Sequence, residues 1–216
     1  IPGMRIVYTI VFFCLMAAAV IRLLFLRETL QNPQKIKLGE MKAAFKNSIG
    51  AIAEALKYMP ASLKFLTIAF LVSAFEEPMF RMFTSLYVFD VIKVSKIEWG
   101  LVNTASVATT LILGFPLGKL IDRFGRRKSI ILAYLLFVPS SVFFIFCGTF
   151  AQLLIIFLMF SIGGSILYPA YSALLADMIP KEKRGRIMGT IVTLNILATV
   201  PSSALGGFLY GVGPAY

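Results

Sequence analysis

Histidine is absent from all 216 residues, which excludes imidazole metal ligands and a histidine-based catalytic triad in this chain. Cysteine occurs twice, at Cys14 and Cys147, each inside a long apolar run. There a thiol packs as a small hydrophobe and frames neither a disulfide network nor a metal pair. Charge is scarce as well: 14% of residues are charged and 59% are hydrophobic, where a soluble domain carries about a quarter and about half. No glycine-rich phosphate loop is present and no nucleophile stands beside a base, so neither a cofactor nor an enzyme is expected. The net charge of +11 comes from 21 Lys and Arg against 10 Asp and Glu. These cations fall in the breaks between apolar runs instead of along one continuous face, which makes nucleic acid a poor partner and the lipid bilayer the expected one.

Six stretches are long and apolar enough, with their flanks, to cross a bilayer as helices. They run from about Ile6 to Leu26, Leu63 to Phe89, Trp99 to Leu120, Ser129 to Cys147, Gln152 to Leu175 and Ile187 to Tyr210. Pro33 lies in a polar break after the first. From Leu38 to Met59 apolar residues recur at steps of three and four, with Lys42, Lys46, Glu54 and Lys57 on other faces, which predicts an amphipathic helix on the membrane surface. Most cations cluster after the first, third and fifth spans, so the rule that short cytoplasmic loops collect Lys and Arg places those three connections in the cytoplasm.

The connection between the third and fourth spans, Gly118 to Lys128, reads Gly-Lys-Leu-Ile-Asp-Arg-Phe-Gly-Arg-Arg-Lys. Each residue type has its own reason to be there. Gly118 permits close helix approach, Asp122 sets a carboxylate among the cations Arg123, Arg126 and Arg127, and Gly125 can take the positive φ of a tight turn. This order resembles the signature hairpin of the major facilitator superfamily of membrane transporters. A weaker likeness follows two spans later in Pro169, Asp177, Pro180, Arg184 and Gly185, similar to the loop after the family's fourth or tenth helix. The stretch from Val200 to Gly207 matches the pattern of the family's antiporters only in part and carries no inference of antiport.

The resemblance implies an all-α membrane protein with an incomplete general substrate transporter fold, about six transmembrane helices plus a central cytoplasmic amphipathic helix. Because the hairpin follows the third span and a basic linker precedes the second, the chain is expected to be a fragment carrying the sixth to eleventh helices. Residues 1–27 are then the last helix of the N-terminal half, 28–62 the cytoplasmic linker, and 63–216 the C-terminal half lacking its last helix. The partners implied are a small-molecule substrate, a proton or other coupling ion, and the missing N-terminal half, in the cell membrane. The hairpin residues, with Asp177 and Arg184, are expected to form a cytoplasmic gate through charge-assisted hydrogen bonds.

In a transporter of this kind the substrate site lies near the midplane, where a charged side chain costs on the order of 2.5 to 3.5 kcal/mol. The second span carries Glu76, Glu77 and Arg81. Glu77 and Arg81, four apart, share a helix face and can pair, either as part of a site or only to neutralise each other. Glu76 lies on another face without a partner in its own span and is the first candidate for binding or proton coupling. Pro78 removes a backbone hydrogen bond beside them. Asn103, Tyr168 and Tyr171 are candidates for substrate contact, with ordinary helix packing the competing role for each. The expected activity is secondary active transport of a small organic solute with proton coupling. The alternatives are an ion-independent facilitator and a receptor or sensor on the same fold.

Overall fold

A computed structural model describes residues 2–25, 57, 59–180 and 184–212. The chain divides into two units, Ile1–Lys46 and Asn47–Tyr216. The first contributes helix α1 (Pro2–Phe25), apolar except for a few positions, with Arg22 in its last turn. A cation there complements the partial negative charge of the helix C-terminus. The amphipathic helix expected from Leu38 lies outside the described residues, apart from Lys57 and Met59.

The second unit holds α2 (Ala61–Asp90), α3 (Lys96–Phe124), α4 (Arg126–Ile145), α5 (Phe150–Met178) and α6 (Arg184–Val212). At 1.5 Å per residue, α2 with its 30 residues reaches about 45 Å, ample for a bilayer core. Five of the six helices, α1 and α3 to α6, are long and apolar enough to span a membrane. The exception, α2, has the length, but Lys64, Glu76, Glu77 and Arg81 interrupt its apolar face.

Helix ends follow local chemistry. At the start of α3, Ser95 and Glu98 form a capping box: the Ser95 hydroxyl accepts from the Glu98 N–H at 3.3 Å, and the Glu98 carboxylate accepts from the Ser95 N–H at 2.8 Å. Thr149 caps α5 by accepting from the Gln152 N–H at 3.4 Å. Between α3 and α4 the connection is a single residue, Gly125, at φ +85°. The charged stretch that reads as a loop is therefore mostly helix. Gly118 to Phe124 complete α3, Arg126 opens α4, and the whole reversal falls on the one residue without a Cβ penalty.

Helix α5 is central. Its neighbours α3 and α4 pack along it, while α2 runs beside α6. Ile121 of α3, Ala133 of α4, and Ile166 and Ala170 of α5 form one buried cluster near the Gly125 turn. A second cluster joins Met59 and Leu63 to Tyr171, Leu175, Ile187 and Ile191, drawing α2, α5 and α6 together at the same end as Arg126 and Arg184. A third, with Val88, Val102, Leu153 and Ile156, closes the opposite end. Two glycines carry close approaches: a Cβ on Gly163 would lie 3.3 Å from the Phe137 ring, and one on Gly206 would lie 2.7 Å from the Phe83 ring. At Gly114 and Gly118 no heavy atom of the described residues stands within 4 Å of that position, so the small-residue pair of α3 serves no close contact among them.

Candidate functional site

Partway along α2, Glu76, Glu77 and Arg81 project from successive turns. Glu77 and Arg81 form an ion pair at 3.6 Å, with their side chains 53% and 83% exposed. Other described side chains leave the pair uncovered. Glu76 is exposed and, among the described residues, has no ion pair or hydrogen bond. Tyr168 of α5 stands within electrostatic reach of Glu77, Glu76 and Arg81, and of Tyr134 on α4. The Tyr134 hydroxyl in turn shares a 2.9 Å hydrogen bond with Ser73 of α2. The Ser73–Tyr134 bond links α2 to α4, and Tyr168 brings α5 within electrostatic reach of both.

Tyr168 also lines an open groove of about 460 Å³ between α3 and α5. The α3 wall consists of Ser106, Thr110 and Gly114, and the α5 wall adds Phe157, Phe160, Ser161, Gly164 and Ser165. Ser161 donates to the Phe157 carbonyl, Ser165 to the Ser161 carbonyl and Thr110 to the Ser106 carbonyl, at 2.8, 2.8 and 3.1 Å. Their hydroxyl oxygens keep acceptor capacity. The buried Ser106 Oγ has no partner among the described residues. A groove of this size, aromatic with a few hydroxyls, suits a small organic ligand.

The remaining cavity candidates lie elsewhere. Asn103 is exposed on α3, outside the groove, and its Nδ2 donates to the Trp99 carbonyl at 2.8 Å. Tyr171 is in the core, 8% exposed, stacked on Phe70 with ring centres 4.3 Å apart, its hydroxyl without a partner. Ser73 and Tyr134 were not singled out in the sequence, since each is an isolated polar residue in an apolar run. Only the packing of α2 against α4 joins them.

At the Gly125 end, the Arg126 guanidinium pairs with the Asp177 carboxylate and donates to the Ala173 carbonyl at 2.9 Å. Arg184 donates to the Ala176 carbonyl at 2.7 Å. These contacts tie the start of α4 and the start of α6 to the last two turns of α5, where the helix dipole favours cations. Asp122, Arg123 and Arg127 are exposed and make no ion pair among the described residues. The expected link between Asp122 and its neighbouring cations is not formed here; the carboxylate that Arg126 engages is Asp177.

The apolar helices, with polar groups gathered on a few faces, define a multi-pass α-helical membrane protein. The profile of the Major Facilitator Superfamily matches residues 66–215. The chain belongs to that superfamily. Multidrug resistance protein 3 of Bacillus subtilis (strain 168) is 29% identical over 154 residues, which cover 69% of this chain and 30% of that protein. A probable 4-methylmuconolactone transporter of Cupriavidus pinatubonensis is 31% identical over 97 residues, 45% of this chain and 23% of that one. The D-xylose transporter of Levilactobacillus brevis is 32% identical over 117 residues, 49% and 25% of the respective chains. The chain thus spans less than a third of the length of these relatives.

Proposed function

We propose that this chain is part of a secondary active transporter that carries a small organic solute in exchange or in company with protons. The observation that carries the reading is that Tyr168 lines the groove between α3 and α5 and stands within electrostatic reach of Glu76, Glu77, Arg81 and Tyr134. Carboxylates set partway along apolar helices are expensive and mark an ion or substrate path. The groove offers an adjacent surface on which a solute can rest. In this reading Glu76 is the group that gains and loses the proton, because of Glu76, Glu77 and Arg81 it alone has no ion pair among the described residues. Relatives named as a multidrug resistance protein, a probable 4-methylmuconolactone transporter and a D-xylose transporter support transport as the activity and leave the solute class open.

The domain layout follows from the same reading. Residues 1–27 form the last helix of the N-terminal half, 28–62 a cytoplasmic linker, and 63–216 the C-terminal half without its last helix, in the cell membrane. The Gly125 turn then faces the cytoplasm, and Arg126, Asp177 and Arg184 hold that side closed. Flux of a solute panel into proteoliposomes holding the full-length protein, with and without a pH gradient, tests the proposal. Accumulation that requires the gradient is expected. Equal flux without it would make the protein a facilitator, and solute binding without flux would make it a receptor.

A further inference from the structure

The hydroxyl of Ser202 departs from the pattern that most serines in these helices follow. Ser140, Ser161, Ser165 and Ser203 each return their hydroxyl to a carbonyl four residues earlier in their own helix. Ser202 of α6 is fully buried, and it donates across to the Phe75 carbonyl of α2. That carbonyl belongs to the residue immediately before Glu76.

Both helices have an interrupted ladder at this level. Pro78 has no N–H, so the Ala74 carbonyl loses its partner one turn later; Pro201 does the same to the Leu197 carbonyl of α6. A helix bends most readily where its ladder is broken. Ser202 sits beside one break and bonds beside the other. One turn further on, Gly206 lets α6 close on Met79 and Phe83, whose side-chain atoms come within 3.3 and 2.7 Å of where a Cβ would stand. A donor from α6 and a missing side chain thus fix α2 on both sides of Pro78.

We propose that Ser202 is a positioning residue for Glu76: its cross-helix hydrogen bond sets the direction in which the segment of α2 bearing Glu76 leaves the proline break. This rests on the reading of Glu76 as the coupling group, but the geometry can be measured without transport. In full-length protein with Cys14 and Cys147 replaced by Ala, a cysteine at Glu76 reports its own accessibility to a charged thiol reagent. Ser202→Ala should change the labelling rate of that cysteine by about threefold or more, the equivalent of one net hydrogen bond. Labelling of a cysteine at Lys128, remote from the bond, should stay the same. In the protein retaining Glu76, Ser202→Ala should shift the apparent KM of transport by a similar factor with the amount of folded protein within about twofold, a split that a purely structural role would not give.

Ser202→Thr, which keeps the donor, should restore both values. Where the alanine variant does not fold, Ser202→Cys, close in size and a weaker donor, takes its place. Unchanged labelling at position 76 in the donor-poor variants would overturn the proposal. Changed labelling without any transport by the parent protein would leave the positioning standing and remove the transport reading instead.

Discussion

The guanidinium of Arg126, on the first residue of α4, is held by the carboxylate of Asp177 and the carbonyl of Ala173, both in the last two turns of α5. The two side chains are 34% and 59% exposed, so water screens their attraction. A screened pair contributes about 1 kcal/mol or less. Arg126→Ala should cost more than Asp177→Asn, because it also frees the Ala173 carbonyl. Thermal unfolding of the four members of a double-mutant cycle, in detergent, should give a coupling of about 0.5 to 1 kcal/mol. If these contacts close the cytoplasmic side, both variants should also speed thiol labelling of the path from that side. Unaltered labelling in both would leave the contacts as helix staples only.

Much of this architecture can be read from the sequence because helices in a bilayer must satisfy their own backbone, so length and apolarity nearly determine where they lie. At the charged flanks α3, α4 and α6 start a few residues before their expected starts and α3 and α5 run a few past their expected ends, while α4 stops two residues short at Ile145, since charge marks the water boundary and not the end of the hydrogen-bond ladder. Gly125 was legible for the same kind of local reason: only a residue without a Cβ turns a helix at φ +85° so cheaply. Pairings between helices were not. Nothing in the order of residues says that Arg126 engages Asp177 and leaves Asp122 free, that Ser73 meets Tyr134, or that Tyr171 faces Phe70 while Tyr168, less than one turn away, faces the groove. Those depend on helix rotation, which an almost wholly apolar surface leaves unmarked in the sequence.

Topology gives the second prediction. Helix α3 runs unbroken for 29 residues, about 43 Å, with Lys96 at one end and the Gly125 turn just beyond the other. Lys96 and Lys128 are both exposed, which makes them better probe sites than the buried Ser129. Cysteines placed at Lys96 and Lys128 should react with an impermeant reagent from opposite sides of the membrane, with Lys128 on the cytoplasmic face. Reaction of both from one side would mean that α3 does not cross.

A third prediction separates the two adjacent glutamates. Glu77 has Arg81 at 3.6 Å partway along a membrane helix, so Glu77→Gln leaves the Arg81 charge without its partner and should lower the folded yield more than Glu76→Gln does. Glu76 stands alone, and in the proposed mechanism its proton drives accumulation. Glu76→Gln should therefore abolish accumulation against a gradient while leaving solute exchange at equal pH largely intact. Normal pH-driven accumulation in that variant would move the coupling group outside this chain.

The glycines supply the fourth prediction, and it sets contact geometry against motif membership. Gly118 belongs to the signature stretch, yet an added Cβ there meets no described heavy atom within 4 Å. Within this unit Gly118→Ala should be neutral, or stabilising by about 0.5 to 1 kcal/mol through the reduced backbone entropy of the unfolded chain. Gly206 lies in the stretch that matches the antiporter pattern only in part, but its Cβ would stand 2.7 Å from the Phe83 ring. That ring cannot simply swing away, because Tyr210 is stacked against it with centres 5.2 Å apart and is itself held by a 2.9 Å hydrogen bond to Asp90. Gly206→Ala should therefore push α6 from α2 and cost about 1 to 3 kcal/mol, the usual penalty of overpacking. Trimming the ring in Phe83→Leu should recover part of that loss in the double variant, since the atoms in collision are then gone. Thermal unfolding of the full-length protein in detergent reads all four proteins. A Gly206→Ala variant as stable as the parent would show that α2 and α6 do not meet closely at this level. A destabilised Gly118→Ala variant would instead place a partner helix against α3 from outside the described chain.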